Sequence, residues 1–251
     1  MEKGESMEDT VRPRTIELDW ERFYTEYPDV YDRFAVSSIE AIKHIVGRFG
    51  LQDKVILDVG SGTGISTYEI ARYARNVTGI EPWKQMREYA ESKRKPEHHN
   101  VEFLDYAAES DDMQFADESF DAIISIYAFP FWFIEEPDRG YELAKKFVVK
   151  ARQLLKEKGV MIIVGNSTSW EAGEITSYVL PAADYAEVNN RFMEEYLGFA
   201  YEDVTVKVDY GTVANMLATY GFIFGSKALD HIETNAISQI DWKLRVHYIY
   251  K

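Results

Sequence analysis

Residues 55–64 read Val-Ile-Leu-Asp-Val-Gly-Ser-Gly-Thr-Gly, an apolar run followed by an acid and three alternate glycines. Glycine has no Cβ and takes positive φ without steric cost, so a strand ending in this turn leaves bare backbone facing a ligand. After Gly64, residues Ile65 to Ala74 place apolar groups at helical spacing, so the turn opens onto a helix N-terminus with free N–H groups. A strand, glycine turn and helix in this order bind nucleotide-like ligands. A second polar group follows at useful spacing. Val77-Thr78-Gly79-Ile80 reads as the next strand and ends at Glu81, roughly 20 residues past the glycines. A carboxylate there has two acceptor oxygens for the two hydroxyls of a ribose. The dinucleotide fingerprint G-x-G-x-x-G is not met, because its third glycine position holds Ile65. That argues against a nicotinamide-dependent oxidoreductase, which titration with NADH would detect.

With Asp58 two residues ahead of Gly60, the turn Asp58-Val59-Gly60-Ser61-Gly62-Thr63-Gly64 resembles the first motif of the class I S-adenosylmethionine-dependent methyltransferases, acidic-x-Gly-x-Gly-x-Gly. The resemblance runs from about residue 20 to the C-terminus. It implies S-adenosyl-L-methionine as cofactor, a sulfonium with an amino-acid end and no phosphate. In the positions that match, Asp58, Gly60, Ser61, Gly62 and Gly64 form the cofactor turn and Glu81 accepts from the ribose diol. Asp58 then fixes the loop and favours the cation. Pro82 and Met86, with Trp83, wall the adenine and ribose, while Ala108 and Glu109 meet the adenine. Ser125 ends the fourth strand facing the transferred methyl group, with Ile126 and Tyr127 next. Tyr31 of an N-terminal arm reaches the amino-acid end. Asp121 is read as structural.

Methyl transfer from a sulfonium is an in-line displacement in which positioning does most of the catalysis and little acid or base machinery is compulsory. An aromatic, dry pocket helps by excluding water and by cation–π attraction to the methylsulfonium. Tyr127, Phe129, Phe131, Trp132 and Phe133 offer such a wall or, equally, a hydrophobic loop under a cap. An amine or phenol acceptor must lose a proton, and Tyr127, Glu135, Glu136, Asp184, Glu187 and His231 are the candidates, with none singled out; the catalytic residues are left unknown. The Asn-Pro-Pro-Tyr of the base-amine methyltransferases is replaced by Ser125-Ile126-Tyr127-Ala128. No Asp and Asn pairing suggests the magnesium of catechol-type enzymes, so no metal is expected. The leading function is methyl transfer to an O or N nucleophile of a small molecule. The alternatives are a methyltransferase acting on protein or RNA and a cofactor-binding protein without turnover.

Composition bounds the partners. The 251 residues carry a formal charge of −15 and no cysteine, which removes thiolate metal sites and cysteine nucleophiles. An acidic surface repels phosphate backbones, so a nucleic-acid partner is unlikely by charge. The cluster Lys84, Arg87, Lys93, Arg94 and Lys95 reads as a solvated helix face. No apolar core of a signal peptide and no run of about 20 apolar residues is present, so a cytoplasmic protein, monomer or homodimer, with no membrane partner is expected.

The elements that must position these residues alternate. A capping box, Ser37-Ser38-Ile39-Glu40, opens a helix that ends at Gly50. Strands are expected at 54–59, 77–80, 101–104, 120–126 and 160–164, and helices at 65–75, 83–94 and 139–157, the last stopped at Gly159. A helix at 212–219, a sixth strand at Phe222-Ile223-Phe224-Gly225 and a seventh at 244–250 complete the chain. This specifies an α/β fold, a Rossmann-like doubly wound seven-stranded sheet; from the resemblance, the last strand is antiparallel. Residues 166–210, aromatic-rich with a helix at 183–197, form a cap inserted after the fifth strand, over the crevice. The whole is one methyltransferase domain, 1–251: a flexible tail 1–15, a helical arm 16–50, a cofactor-binding core 51–165, the cap, and a C-terminal part 211–251.

Overall fold

The computed structural model describes residues 19–108, 110, 113–130, 137–167, 175 and 182–251. Its sheet has seven strands, β1 Val55–Val59, β2 Asn76–Ile80, β3 Val101–Leu104, β4 Phe120–Ile126, β5 Leu155–Asn166, β6 Ala200–Asp209 and β7 Gln239–Tyr250, in the order β3-β2-β1-β4-β5-β7-β6. β1 to β5 run parallel, and β7 lies antiparallel between β5 and β6. The parallel strands are apolar on both faces because helices cover both. Ile56, Ile124 and Ile162 join one core with Ile42, Ile45 and Tyr220. Leu57, Ile123 and Met161 join the other with Phe147, Leu154 and Phe192. After β3 the chain returns to the far side of β1 to form β4, so the strand order reverses between β1 and β4. A crevice at the carboxyl ends of strands at such a reversal is where open α/β sheets take ligands.

Three helices precede the sheet: α1 Trp20–Glu26, α2 Pro28–Phe34 and α3 Ser37–Phe49. Asp19 caps α1 by accepting from the Arg22 N–H, Pro28 opens α2, and Gly50 ends α3 at φ 62°. α4 Ile65–Ala71 and α5 Lys84–Ser92 are the crossovers after β1 and β2, and α6 Pro137–Leu154 precedes β5. α7 Ala182–Arg191 continues into a π-helical turn, Phe192–Tyr196. α8 consists of Val213–Met216, a π-helical turn Leu217–Gly221 and Phe222–Phe224, and α9 Ser226–Thr234 leads to β7. Among the described residues no helix is long and apolar enough to cross a membrane.

The doubly wound sheet and its antiparallel last strand follow the expectation, but three local readings are corrected. Phe222–Phe224 ends a helix, and the sixth strand is Ala200–Asp209. Met216, Tyr220, Ile223 and Phe224 are all buried in one core at helical spacing, whereas Val204, Val206 and Val208 alternate along β6. The segment between β5 and β6 is therefore shorter than the expected 166–210, and of it the structure describes 167, 175 and 182–199. The capping box does not form: α2 runs almost directly into α3, the N–H groups of Ser38 and Ile39 donate to the carbonyls of Ala35 and Val36, and Glu40 pairs with Lys43. Finally, α6 stops at Leu154, because Leu155 already pairs with Phe120 ahead of a turn at Lys158, φ 64°.

Candidate cofactor site

β1 delivers Asp58 to the carboxyl edge with its side chain fully buried. Its Oδ2 accepts from the hydroxyls of Ser66 at 2.9 Å and Thr67 at 2.6 Å in the first turn of α4, while Oδ1 has no partner. Burial pushes its carboxyl up to about 6 against the pull of those two hydroxyls. The turn that follows holds Gly60, Gly62 and Gly64 at φ 74°, 53° and 77°. At Gly60 a side chain is excluded twice over, by that φ and because a Cβ would lie 2.3 Å from the Ala128 Cβ. The N–H groups of Gly60 and Ser61 both donate to the Ile80 carbonyl, which ties the turn to β2. The Ser61 hydroxyl is buried without a partner.

Glu81, at the end of β2, is 5 % exposed. Its Oε2 accepts from the Gly62 N–H and its Oε1 from the Trp83 N–H, each at 2.9 Å. Burial raises its carboxyl, opposed by those two N–H groups and the Arg87 guanidinium. Arg87 donates to the Glu81 carbonyl and pairs with Asp105 at 2.6 Å. Each oxygen of Glu81 thus keeps capacity for a further donor.

The other expected residues distribute as follows. Met86 on α5 is buried, and its Cε lies 3.5 Å from where a Cβ on Gly62 would be. Pro82 is exposed beside it, and Ala108 is half-buried past β3; Glu109 lies outside the described residues. Ser125 is buried and its hydroxyl donates to the Val59 carbonyl at 2.9 Å, which joins β4 to β1 beneath the turn. Tyr31 lies over the turn, with Cε1 also 3.5 Å from the Gly62 Cβ position, and its ring packs edge-on against Tyr24. Burial pushes its phenol well above the usual range. Asp121 accepts from the Val55 N–H and the Lys156 ammonium, a structural role.

At the transfer end, Tyr127 closes β4 at φ 58°, with its hydroxyl 3.2 Å from the Ser37 hydroxyl and its ring against Trp242. A non-glycine residue in that region is uncommon and costs energy. Burial raises its phenol far above the ordinary value. Phe129 is buried against Phe147, part of the core and not of a wall. Glu187 is exposed on α7, and His231 lies on α9 beside Asn235, so it is helical and not on a strand or loop. Phe131, Trp132, Phe133, Glu135, Glu136 and the side chain of Asp184 lie outside the described residues. Among the described residues no cluster of His, Asp and Glu is arranged to hold a metal.

Two groups at the site escape a reading based on motifs. Asp32 of α2 accepts from the Thr63 hydroxyl at 2.6 Å and pairs with Lys93. Tyr24 brings α1 onto Trp83, ring centroids 5.8 Å apart. Both belong to the arm, where an aromatic-rich stretch was the sole signal. Four members of the basic cluster pair with nearby carboxylates: Lys84 with Glu88, Arg87 with Asp105, Lys93 with Asp32 and Arg94 with Glu91.

Known proteins share this arrangement. A family model described as a methyltransferase domain matches residues 57–163, from β1 into β5. Demethylmenaquinone methyltransferase of Tropheryma whipplei is 30% identical over 108 residues, 43% of this chain and 40% of that protein, so the match spans less than half of its length. An uncharacterized methyltransferase of Bacillus cytotoxicus is 27% identical over 183 residues, 69% of this chain and 80% of the relative. In three dimensions the YcgJ protein of Bacillus subtilis superposes with a TM-score of 0.58 at 18% identity, covering 84% of this chain and 98% of its own. The sheet order, the acidic glycine turn at the strand reversal and the match of residues 57–163 to a methyltransferase domain make the chain similar to the class I S-adenosylmethionine-dependent methyltransferases and support that reading of it.

Proposed function

We propose that the protein transfers a methyl group from S-adenosyl-L-methionine to an oxygen or nitrogen nucleophile of a small molecule. The residues present fit the cofactor. Glu81 is oriented by two backbone N–H groups and retains acceptor capacity for a diol. Two buried polar atoms at the turn, Asp58 Oδ1 and the Ser61 hydroxyl, have no protein partner, and buried polar groups are rarely left so. Asp58, Gly60, Ser61, Gly62 and Gly64 would hold the cofactor at the turn, Glu81 its ribose, Pro82, Met86, Ala108 and Glu109 its adenine side, and Ser125 and Tyr31 the ends of the crevice. When bound, the cofactor supplies a methyl group on a sulfonium, which leaves as a neutral thioether. The chain contributes orientation through Glu81, a negative charge for the cation through Asp58, and exclusion of water by the aromatic arm. No residue described is placed as an obligatory base.

A small acceptor is supported by the charge of −15 and by the pairing of Lys84, Arg87, Lys93 and Arg94 with nearby carboxylates, which weakens that cluster as a contact for a phosphate backbone. The Tropheryma relative is named for demethylmenaquinone, a small molecule, which supports a small acceptor and carries no weight for an O or N target atom. The observation that carries the proposal is the Glu81 carboxylate held ready beside Gly62. Calorimetric titration with S-adenosylhomocysteine tests it: Glu81→Ala is expected to weaken binding on the order of 100-fold, the loss of two hydrogen bonds to a charged group. Unchanged affinity in that variant, or no binding to the wild type, rules the reading out.

A further inference from the structure

The two edges of the sheet are unequal. β3 has 4 residues, whereas β6 has 10 and is bonded on one side only, to β7. Its register with β7 is unbroken from Ala200 to Asp209, so no bulge turns the edge aside, and the strand contains no proline. Tyr210 continues the register, and its N–H donates to the Ser238 carbonyl. Bonded residues alternate along an antiparallel ladder, so the even-numbered residues of β6 bond to β7. The N–H and carbonyl groups of Tyr201, Asp203, Thr205, Lys207 and Asp209 therefore point away from the sheet. Among the described residues nothing pairs with those backbone groups, and the five side chains are exposed. A long, regular edge of this kind is a template for another strand unless shortness, proline, a bulge or charge blunts it. β6 has only charge, and its order is that of attraction. Asp203 and Lys207 stand symmetrically about Thr205. A second β6 laid antiparallel, Thr205 against Thr205, sets each Asp203 opposite a Lys207 and each Val204 opposite a Val206. Centring the pair on Asp203 or on Lys207 would instead oppose like charges. Lys207 is 68 % exposed and only 3.8 Å from Asp241, and Asp203 stays 46 % exposed beside Arg245, so both can meet a partner. Glu202, on the other face, is already held by His44 and Arg48 of α3.

We propose that β6 is the docking edge for a second copy of this chain. Two β6 strands pair antiparallel about a twofold axis at Thr205 and join the two seven-stranded sheets into one. The interface is isologous, so it closes at two copies and leaves no further free edge of that length. Outward backbone groups from Tyr201 to Asp209 bond across the axis, the Asp203 and Lys207 pairs fix the register, and Val204 and Val206 continue the apolar row of one face. β5 and β7 separate this edge from β4, so the crevice between β1 and β4 stays open in both copies and the inference is independent of what binds there.

Sedimentation velocity on the full chain over a dilution series tests the association, and the expected species has twice the 29.1 kDa of one chain. The register is tested by thiols, since the chain has no cysteine of its own. The Cα atoms of a bonded antiparallel pair lie about 5.5 Å apart, within the span of a disulfide. Thr205→Cys is therefore expected to form a covalent dimer on mild oxidation. Lys207→Cys is not, because four residues of strand, roughly 13 Å, separate the two copies of position 207 along the pair. Thr205→Pro keeps the bonds to β7, because the N–H it removes points outward, and it is expected to weaken dimerisation at least about tenfold. Lys207→Asp, set opposite Asp203, should weaken it in the same direction, with circular dichroism establishing that each variant is folded. A wild type that sediments as a monomer throughout overturns the proposal. So does a dimer indifferent to both Thr205→Pro and Lys207→Asp, which would use another surface, and so does linkage at position 207 as fast as at 205. Should Thr205→Pro fail to fold, Lys207→Asp and the two cysteine variants carry the same comparison.

Discussion

A buried carboxylate that lacks a cationic partner is costly, and Asp58 is one. Its side chain is fully enclosed, two hydroxyls serve one oxygen, and the other oxygen is unpaired. Its folded pKa of about 6 stands above the ordinary carboxylate value of 3.8. The unfolded chain therefore releases this proton first, and as pH rises from about 4 to 6 the group withdraws stability, on the order of 3 kcal/mol in total. At neutral pH the ionised form is a liability to the fold that a cationic ligand would relieve. Asp58→Asn keeps an acceptor for Ser66 and Thr67 and removes the buried charge. It is expected to raise the urea midpoint at pH 7.5 by the equivalent of about 1 to 3 kcal/mol. It should also weaken S-adenosylmethionine, a cation at sulfur, more than S-adenosylhomocysteine, which is neutral there. Equal weakening of the two ligands would reduce Asp58 to a loop support.

At the scale of elements, the β4 end and the glycine turn are fitted to each other through Gly60 and Ala128. Gly60→Ala would put its Cβ 2.3 Å from the Ala128 Cβ, so one of the two loops must move. Binding of S-adenosylhomocysteine should fall at least tenfold in Gly60→Ala, and Ala128→Gly in the same chain should restore part of it. The remainder is the strain of alanine at φ 74°, about 1 kcal/mol. No recovery in the double variant would show that this contact does not set the width of the crevice. The turn and Glu81 were legible in the sequence because their chemistry needs particular residue types at fixed spacing. The sixth strand was not. Phe222-Ile223-Phe224 is a short, fully apolar run, and such a run does not separate a strand from a buried helix end. Its helical partners, Tyr220 and Met216, lie one and two turns earlier. The strand itself, Ala200–Asp209, alternates Val204, Val206 and Val208 with polar residues, a signal hidden by its place in a long aromatic insertion. Ser37 shows the same limit. As a capping residue it was reasonable by type, but its hydroxyl goes to Tyr127, 90 residues on, and tertiary pairing of that kind has no local signature.

For the whole molecule, response to acid is set by buried groups that pull in opposite directions. β7, inserted between β5 and β6, carries His247 with no exposed surface; its Nε2 lies 3.1 Å from Glu194 and its Nδ1 has no partner. Glu194 and Asp203 also hold Arg245, whose guanidinium lies over the Tyr201 ring. Burial lowers the His247 imidazole to about 4, against the pull of Glu194. The unfolded histidine, with its ordinary value of 6.5, takes up its proton first as pH falls. Stability from the neutral ring is therefore complete above about pH 6.5 and is lost progressively toward pH 4, on the order of 3 kcal/mol. Asp58 acts with the reverse sign over much of that range, gaining stability as it regains its proton. The two slopes largely cancel in a chain that also sheds self-repulsion as its net charge of −15 is titrated. Single variants expose what the wild type conceals. His247→Leu leaves Glu194 paired with Arg245, so relative to wild type it should become steadily more stable between pH 6.5 and 4.5 in urea unfolding. Asp58→Asn should become steadily less so over the same interval, and the two effects should add, since the groups share no partner. A His247→Leu difference that stays constant with pH would mean that the fold does not hold this histidine neutral.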